Sequence, residues 1–314
     1  MIVAITGATG AVGRRLVERH VAAGDAVRAL SRQEDPGFSP AVQIHRGELT
    51  SDADVLSSFV DGADALYHCA AEINEPARMM EINVGGTGNL IAAARGKVPR
   101  WIQLSSVAVY GAPEAGVIDA ETPPRPIDTY GRSKADADRL VMDAAGQGAF
   151  SCTVLRPAKV FGAGIDSANN QILFRLFSLV DRGLFFFIGR PGALTHYVHV
   201  DNLVEALVCC RSEPAANRVY NLSDDRSIEA FIAVVAAALG RKEPRLRLPE
   251  GPVRWVARTL GALPGWPLDE RRVAALVNRA AFPATRIECE LGYRHRVRLE
   301  DGLRELVAFW RRHA

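Results

Sequence analysis

The stretch Thr6-Gly7-Ala8-Thr9-Gly10-Ala11-Val12-Gly13 constrains the fold more than any other part of the chain. Before it, Met1-Ile2-Val3-Ala4-Ile5 is a short apolar run with β-branched residues, the pattern of a buried strand. After it, the segment from Arg14 to Val21 carries apolar residues at Leu16, Val17 and Val21 and reads as a helix. A glycine turn between a strand and a helix has a definite chemistry. Gly7 allows the tight turn, Gly10 lets backbone approach a pyrophosphate with no Cβ in the way, and Gly13 lets helix and strand pack closely. Around the start of the helix, Thr9, Ala11 and Val12 surround free N–H groups at the positive end of the helix dipole, which suits a phosphate. The turn therefore predicts a dinucleotide site.

Composition narrows the alternatives. The 314 residues carry 38 Lys and Arg against 36 Asp and Glu, a net charge of +2, too small to imply nucleic acid or an anionic membrane as partner. Apolar residues make up 48% of the chain, enough for a substantial core. The five cysteines show no C-x-x-C spacing and read as small buried apolar residues of a protein in a reducing compartment. No apolar run approaches the roughly 20 residues of a membrane span. The chain opens on a strand rather than a charged leader, so a soluble, cytoplasmic protein is expected. No His/Cys/Asp/Glu grouping has metal-ligand spacing, and no metal is expected.

Alternating elements follow the turn. Asp25 to Arg32 reads as a second strand, Val42 to Leu49 as a third, Ala63 to Ala71 as a fourth and Arg100 to Ser106 as a fifth. Helices between them predict an α/β fold with a doubly wound parallel sheet. Ligands of such sheets sit at the carboxyl ends of the strands, where Gly7, Arg32, Ala70 and Ser106 fall. An acidic residue at the end of the second strand would bind the ribose 2′-OH of NAD, but Ser31-Arg32 stands there. NADP(H) is therefore preferred, with NAD(H) possible, Arg32 on the 2′-phosphate and Arg28 a weaker candidate. The third strand ends at Glu48-Leu49, beside the expected adenine, and the small pair Ala70-Ala71 would let backbone lie against the cofactor. His68 reads as a satisfied, half-buried histidine. The glycine-rich segment Asn83 to Ile91 is costly in a helix and predicts close packing against neighbouring backbone.

Tyr130 and Lys134 stand four apart, one turn from each other on one helical face. A lysine ammonium there, with a positive nicotinamide ring, would lower the phenol pKa from its ordinary value of about 10. Ser106, at the end of the adjacent strand, could hydrogen-bond the same substrate oxygen. The set suits reversible reduction at a carbonyl carbon, with Tyr130 passing the proton.

With these motifs on the page, the chain resembles an extended short-chain dehydrogenase/reductase of the NAD-dependent epimerase/dehydratase family. The motifs are the glycine turn, His68-x-Ala70-Ala71, Asn83-Val84-x-Gly86-Thr87, Ser105-Ser106-x-x-Val109-Tyr110-Gly111, Tyr130-x-x-x-Lys134, Leu155-Arg156-Pro157-x-x-Val160-Phe161-Gly162 and Val198-His199-Val200-Asp201-Asn202. The resemblance implies a Rossmann sheet and a catalytic triad of Ser106, Tyr130 and Lys134, with Asn83 in support. It places Pro157 and Val160 beside the cofactor, with Glu48 where the family usually has Asp. It also implies a homodimer through the helices bearing Asn83 and Tyr130. The expected division is a dinucleotide-binding domain over 1–159 and 196–225 and a smaller, mostly helical substrate lobe over 160–195 and 226–314.

In the substrate half, Lys159, Asn170 and Arg190 are candidate substrate contacts, with Ser106. The aromatics Phe185 to Phe187 read as core, and Asp201 or Asn202 as the cap of the following helix. The leading expectation is an NADP(H)-dependent reduction of a keto group of a nucleotide-linked sugar, at C4 of a 6-deoxyhexose. A nucleotide-sugar 4-epimerase with tightly bound NAD uses the same triad. A dehydrogenase of a non-nucleotide alcohol or ketone is a third reading, favoured by Thr195 where nucleotide-sugar epimerases of the family often carry arginine.

Overall fold

In the computed structural model of the chain, residues 1–50, 53–165, 167–260 and 269–313 are described. Seven parallel strands form one sheet: Ile2–Thr6, Ala26–Ser31, Val42–Arg46, Ala65–His68, Arg100–Leu104, Ser151–Pro157 and Arg218–Leu222. Numbered along the chain, they stand side by side in the order 3-2-1-4-5-6-7. The order reverses between the first and fourth strands, and their carboxyl ends open a crevice there. Both strands are apolar on both faces because helices cover both faces. Val3, Ile5 and Tyr67 pack with Leu16 and Leu203 on one side, while Ala4 and Leu66 pack with Leu56, Leu90 and Val141 on the other.

A second assembly holds three smaller sheets and its own core. Lys159–Phe161, Leu194–His199 and Asp224–Ser227 form one sheet, and two-stranded ribbons join Phe187–Ile188 to Arg247–Leu248 and Ala115–Val117 to Arg279–Ala281. The helices Ala168–Asp181, Ile228–Leu239 and Leu299–His313 meet at Phe177, Phe231 and Leu303. Phe185 and Phe187 are buried in that core, as the sequence predicts, whereas Leu184 is exposed.

Several local expectations are corrected. The helix after His199 is capped by neither Asp201 nor Asn202. His199 caps it, its Nδ1 accepting from Asp201 N at 3.3 Å, while buried Asn202 donates to Val297 O and accepts from the N–H groups of Arg296 and Val297. Of the glycines after Asn83, only Gly86 is crowded, and by a side chain rather than backbone: a Cβ there would meet Leu49 Cβ at 2.6 Å, while Gly85 and Gly88 face open space. The helix bearing Tyr130 begins at Thr129, capped by the Asp128 carboxylate, which accepts from Gly131 N at 2.7 Å.

Candidate active site

The glycine turn has the shape its spacing predicts. Gly7 adopts φ +66°, and a Cβ on it would stand 2.6 Å from Ala70 N at the end of the fourth strand. A Cβ on Gly13 would lie 2.1 Å from Gly7 O, so the helix Ala11–Ala22 can approach the first strand only with glycine there. Gly10 is the cap residue of that helix, which has no side-chain cap and no acid in its first turn. The first-turn N–H groups are thus not taken by a capping side chain, the condition a phosphate requires. These residues fit the pyrophosphate of a dinucleotide.

A threonine-histidine chain braces the turn. The Thr87 hydroxyl donates to Asn83 O at 2.6 Å, so His68 Nε2, 2.9 Å away, is the donor to Thr87. His68 Nδ1 then accepts from Thr6 Oγ1 at 2.7 Å, and that oxygen accepts from Ala70 N. Burial, with Lys134 adding to it, pushes the His68 pKa down to about 3, so the ring is neutral; it is satisfied at both nitrogens, as the sequence suggested, but fully rather than half buried.

The catalytic candidates converge from three elements. Ser106 ends the loop after the fifth strand and accepts from Ala108 N at 3.2 Å. A Cβ on Gly131 would lie 2.5 Å from Ala108 O, so the helix Thr129–Gly146 packs against this turn with almost no clearance. That contact sets Tyr130 beside Ser106, whose hydroxyl pulls the phenol's pKa down. Ser105 is instead buried and donates to Asp138, so of the two serines Ser106 is the one that keeps exposed surface. Lys134 is 3% exposed, and its Nζ donates to Leu104 O at 2.6 Å. Asn83 sits in a π-helical turn, Met80–Gly85, that interrupts its helix. Its amide donates to Ser133 Oγ at 2.9 Å and to Glu72 O at 3.0 Å, and its carbonyl accepts from Glu72 N. Ser133 in turn donates to Tyr130 O, so Asn83 ties the loop after the fourth strand to the tyrosine's own turn.

The protein's own contribution to the Tyr130 pKa runs opposite to the lowering expected with a positive nicotinamide ring bound. The protein's own residues raise the Tyr130 pKa: burial is the main cause, Ser106 pulls the other way, and the Asp138 and Asp128 carboxylates add to the rise. Burial likewise holds Lys134 below the usual lysine range, against the pull of Asp138.

The remaining candidates separate. Arg32 is exposed at the end of the second strand, whereas Arg28 donates to Phe59 O and Asp61 O and is unsuited to a 2′-phosphate. Glu48 is exposed and accepts from Thr50 Oγ1, while Leu49 is buried, with its carbonyl accepting from Asn89. Ala71 lies partly exposed before Glu72, Pro157 ends the sixth strand, and Val160 packs beside Val198. Asn170 is corrected. It is 1% exposed and donates to Gly162 O and Ile165 O while accepting from Gly162 N, so it holds its own loop rather than a substrate. Lys159 is exposed, with its ammonium 5.4 Å from the Tyr197 ring centroid. Arg190 lines a cavity of about 320 Å³ together with Glu250 and Arg279.

Two buried charges went unremarked in the sequence. Asp138 and Arg156 form an ion pair at 3.1 Å beneath the triad. The signal was available: Asp138 stands four residues past Lys134 on the face that carries Tyr130. Among the described residues, no group of three or more His, Cys, Asp or Glu is placed to hold a metal, and no helix is long and apolar enough to cross a membrane.

Comparison with known proteins gives the family. The family model described as the NAD dependent epimerase/dehydratase family matches residues 3–223. A 3 beta-hydroxysteroid dehydrogenase/Delta 5-->4-isomerase of Mycobacterium tuberculosis is 30% identical, covering 91% of this chain and 79% of its own. A 4-hydroxy-2-methyl-3-oxo-4-farnesyl-3,4-dihydroquinoline-1-oxide ketoreductase of Stigmatella aurantiaca is also 30% identical, covering 95% and 93%. Among solved structures, UDP-glucuronic acid 4-epimerase from Bacillus cereus with UDP-glucuronic acid and NAD superposes at a TM-score of 0.76 over 100% of both chains, at 18% identity, which shows the shared fold. The glycine turn, the Ser-Tyr-Lys set and the match over most of the chain lead to one conclusion: this protein belongs to the NAD-dependent epimerase/dehydratase family and is an NAD(P)-dependent dehydrogenase, reductase or epimerase.

Proposed function

We propose that the protein is an NADP(H)-dependent reductase or dehydrogenase acting on the carbonyl or carbinol of an apolar cyclic compound that carries no nucleotide. The bound nicotinamide supplies or accepts the hydride. Tyr130 gives its proton to the substrate oxygen in the reductive direction and takes it back in the other. Ser106 hydrogen-bonds that oxygen, and Lys134 supplies positive charge one turn below the phenol. Arg32 meets the 2′-phosphate.

One observation carries the choice of substrate class. Position 195 is threonine, and its hydroxyl donates to Arg226 O at 3.2 Å. The arginine opposite it, Arg226, pairs with Asp224 and Glu300, so this strand offers no uncommitted cation to a diphosphate. The relatives support the reading, since those named above act, by their names, on a steroid and on a farnesylated quinoline. The nucleotide-sugar reading keeps one observation in its favour, the cavity with Arg190 and Arg279. Against it, Arg279 donates to Arg190 O and Pro191 O, and the Glu250 carboxylate shares the same walls.

A thermal-shift panel tests the choice. NADPH should raise the unfolding midpoint, UDP, dTDP and GDP should leave it unchanged, and NADPH oxidation should be seen with a ring ketone such as a 3-ketosteroid. Stabilisation by any of the nucleoside diphosphates would return the account to a nucleotide sugar.

A further inference from the structure

Tyr130 and Lys134 continue to a third residue on their face of the helix. Asp138 lies one more turn along and is 2% exposed. A buried carboxylate is costly unless it is paired and hydrogen-bonded. Asp138 Oδ2 accepts from Ser105 Oγ at 2.8 Å and from Arg156 Nε at 3.1 Å, while Oδ1 has no hydrogen-bond partner. Arg156 is itself fixed, donating through a terminal nitrogen to the Tyr110 hydroxyl at 2.9 Å. Tyr110 donates onward to Asn221 Oδ1 at 2.8 Å, on the last strand of the sheet. Residues from the fifth, sixth and seventh strands thus hold one carboxylate in position under the catalytic helix.

Lys134 needs such a partner. Its Nζ donates to a neutral carbonyl, Leu104 O, which does not balance a full charge. The titratable groups around it are Tyr130 and Asp138 on its own helix, His68 and Cys69 at the end of the fourth strand, Tyr110 after the fifth, and Arg156 on the sixth. His68 is neutral, and burial pushes the Cys69 thiol up to about 12. Tyr110 and Tyr130 are both raised by burial and stay protonated. The one carboxyl in this set is Asp138; burial raises its pKa, and the Arg156 and Lys134 charges and the hydrogen bonds from Ser105 and Arg156 pull it back toward the ionised form.

We propose that Asp138, held by Ser105 and Arg156, is a positioning residue for the reaction: it is the internal counter-ion that keeps Lys134 an ammonium at the floor of the site. The assignment rests on the Ser106-Tyr130-Lys134 reading given above. It also gives the Ser105 hydroxyl a task separate from that of Ser106.

The test needs neither substrate nor turnover, so its failure is distinct from a failure of the proposed activity. Protein labelled with ¹³C at lysine Cε is titrated by NMR, with the Lys134 signal assigned by its loss in Lys134→Met. Asp138→Asn should lower the Lys134 midpoint by about one pH unit or more, a tenfold change in its acid dissociation constant. Asp138→Glu, which restores the charge, should return it to within a few tenths of a unit. A folded Asp138→Asn protein with an unmoved Lys134 midpoint overturns the assignment. If that variant does not fold, the coupling is read from the other side, because it is reciprocal. In Lys134→Met the Asp138 midpoint, followed at ¹³Cγ, must rise, and an unmoved value there overturns the assignment equally.

Discussion

Tyr130 lies at the centre of the account, and its own surroundings make it a weak acid. Burial and two carboxylates raise its pKa, with Ser106 alone opposing among the causes that act on it. Such a phenol stays protonated at neutral pH, which suits a proton donor to a forming alkoxide better than a resting base. Arg32 bears on the cofactor in the same single-residue way. It is exposed at the end of a strand with no acidic residue in the place that would recognise a ribose hydroxyl. A charge-assisted contact to a phosphate contributes about 1.5–3 kcal/mol. Arg32→Ala should therefore weaken NADPH about ten- to a hundred-fold and leave NADH nearly unchanged. Fluorescence titration of both cofactors reads this, and an equal loss for both would remove Arg32 from the 2′-phosphate.

The strand-turn-helix at the amino end shows the same logic for an element. Gly13→Ala places a Cβ where Gly7 O already stands, at 2.1 Å, and neither backbone can yield without opening the turn. The change should cost at least the 1–3 kcal/mol typical of overpacking and abolish cofactor binding. Gly24→Ala serves as the control: its φ of +78° is strained, but a Cβ there meets nothing within 4 Å and lies away from the crevice, so it should lower the melting temperature and spare the cofactor. Calorimetry with NADPH titration separates the two, and a Gly13→Ala protein that still binds would contradict the packing argument. These elements were legible because local rules write them: glycine spacing, short apolar runs with β-branched residues in strands, four-residue spacing on a helix. What escaped was set by the third dimension. Asn170 has the composition of a ligand contact, yet its loop folds back on its side chain. The cap at His199 was hidden because Asn202, a better cap by type, is drawn into the segment at Val297. The Asp138–Arg156 pair joins residues 18 apart in sequence through sheet packing that no local pattern records.

For the molecule as a whole, buried histidines link stability to acidity. Burial lowers the pKa of His20, His68 and His199, and for His68 the value falls to about 3. A neutral buried ring contributes fully above the unfolded-state pKa of about 6.5, and that contribution is lost as pH falls toward the folded value. The stability difference between wild type and His68→Gln should therefore shrink below pH 6.5, by up to about 1.4 kcal/mol per pH unit. Denaturant unfolding at a series of pH values measures it, and a difference independent of pH would mean that the ring is not held neutral. The crevice where the strand order reverses, the glycine turn and the Ser-Tyr-Lys face all lie at the same end of the sheet, and one comparison tests whether they work together. With the ring ketone that turns over in the panel, Tyr130→Phe should cut NADPH oxidation by about 10²–10⁴-fold and leave the dissociation constant for NADPH unchanged. Turnover near the wild-type rate in that variant would contradict the assignment of Tyr130 as the proton donor, and with it the central claim.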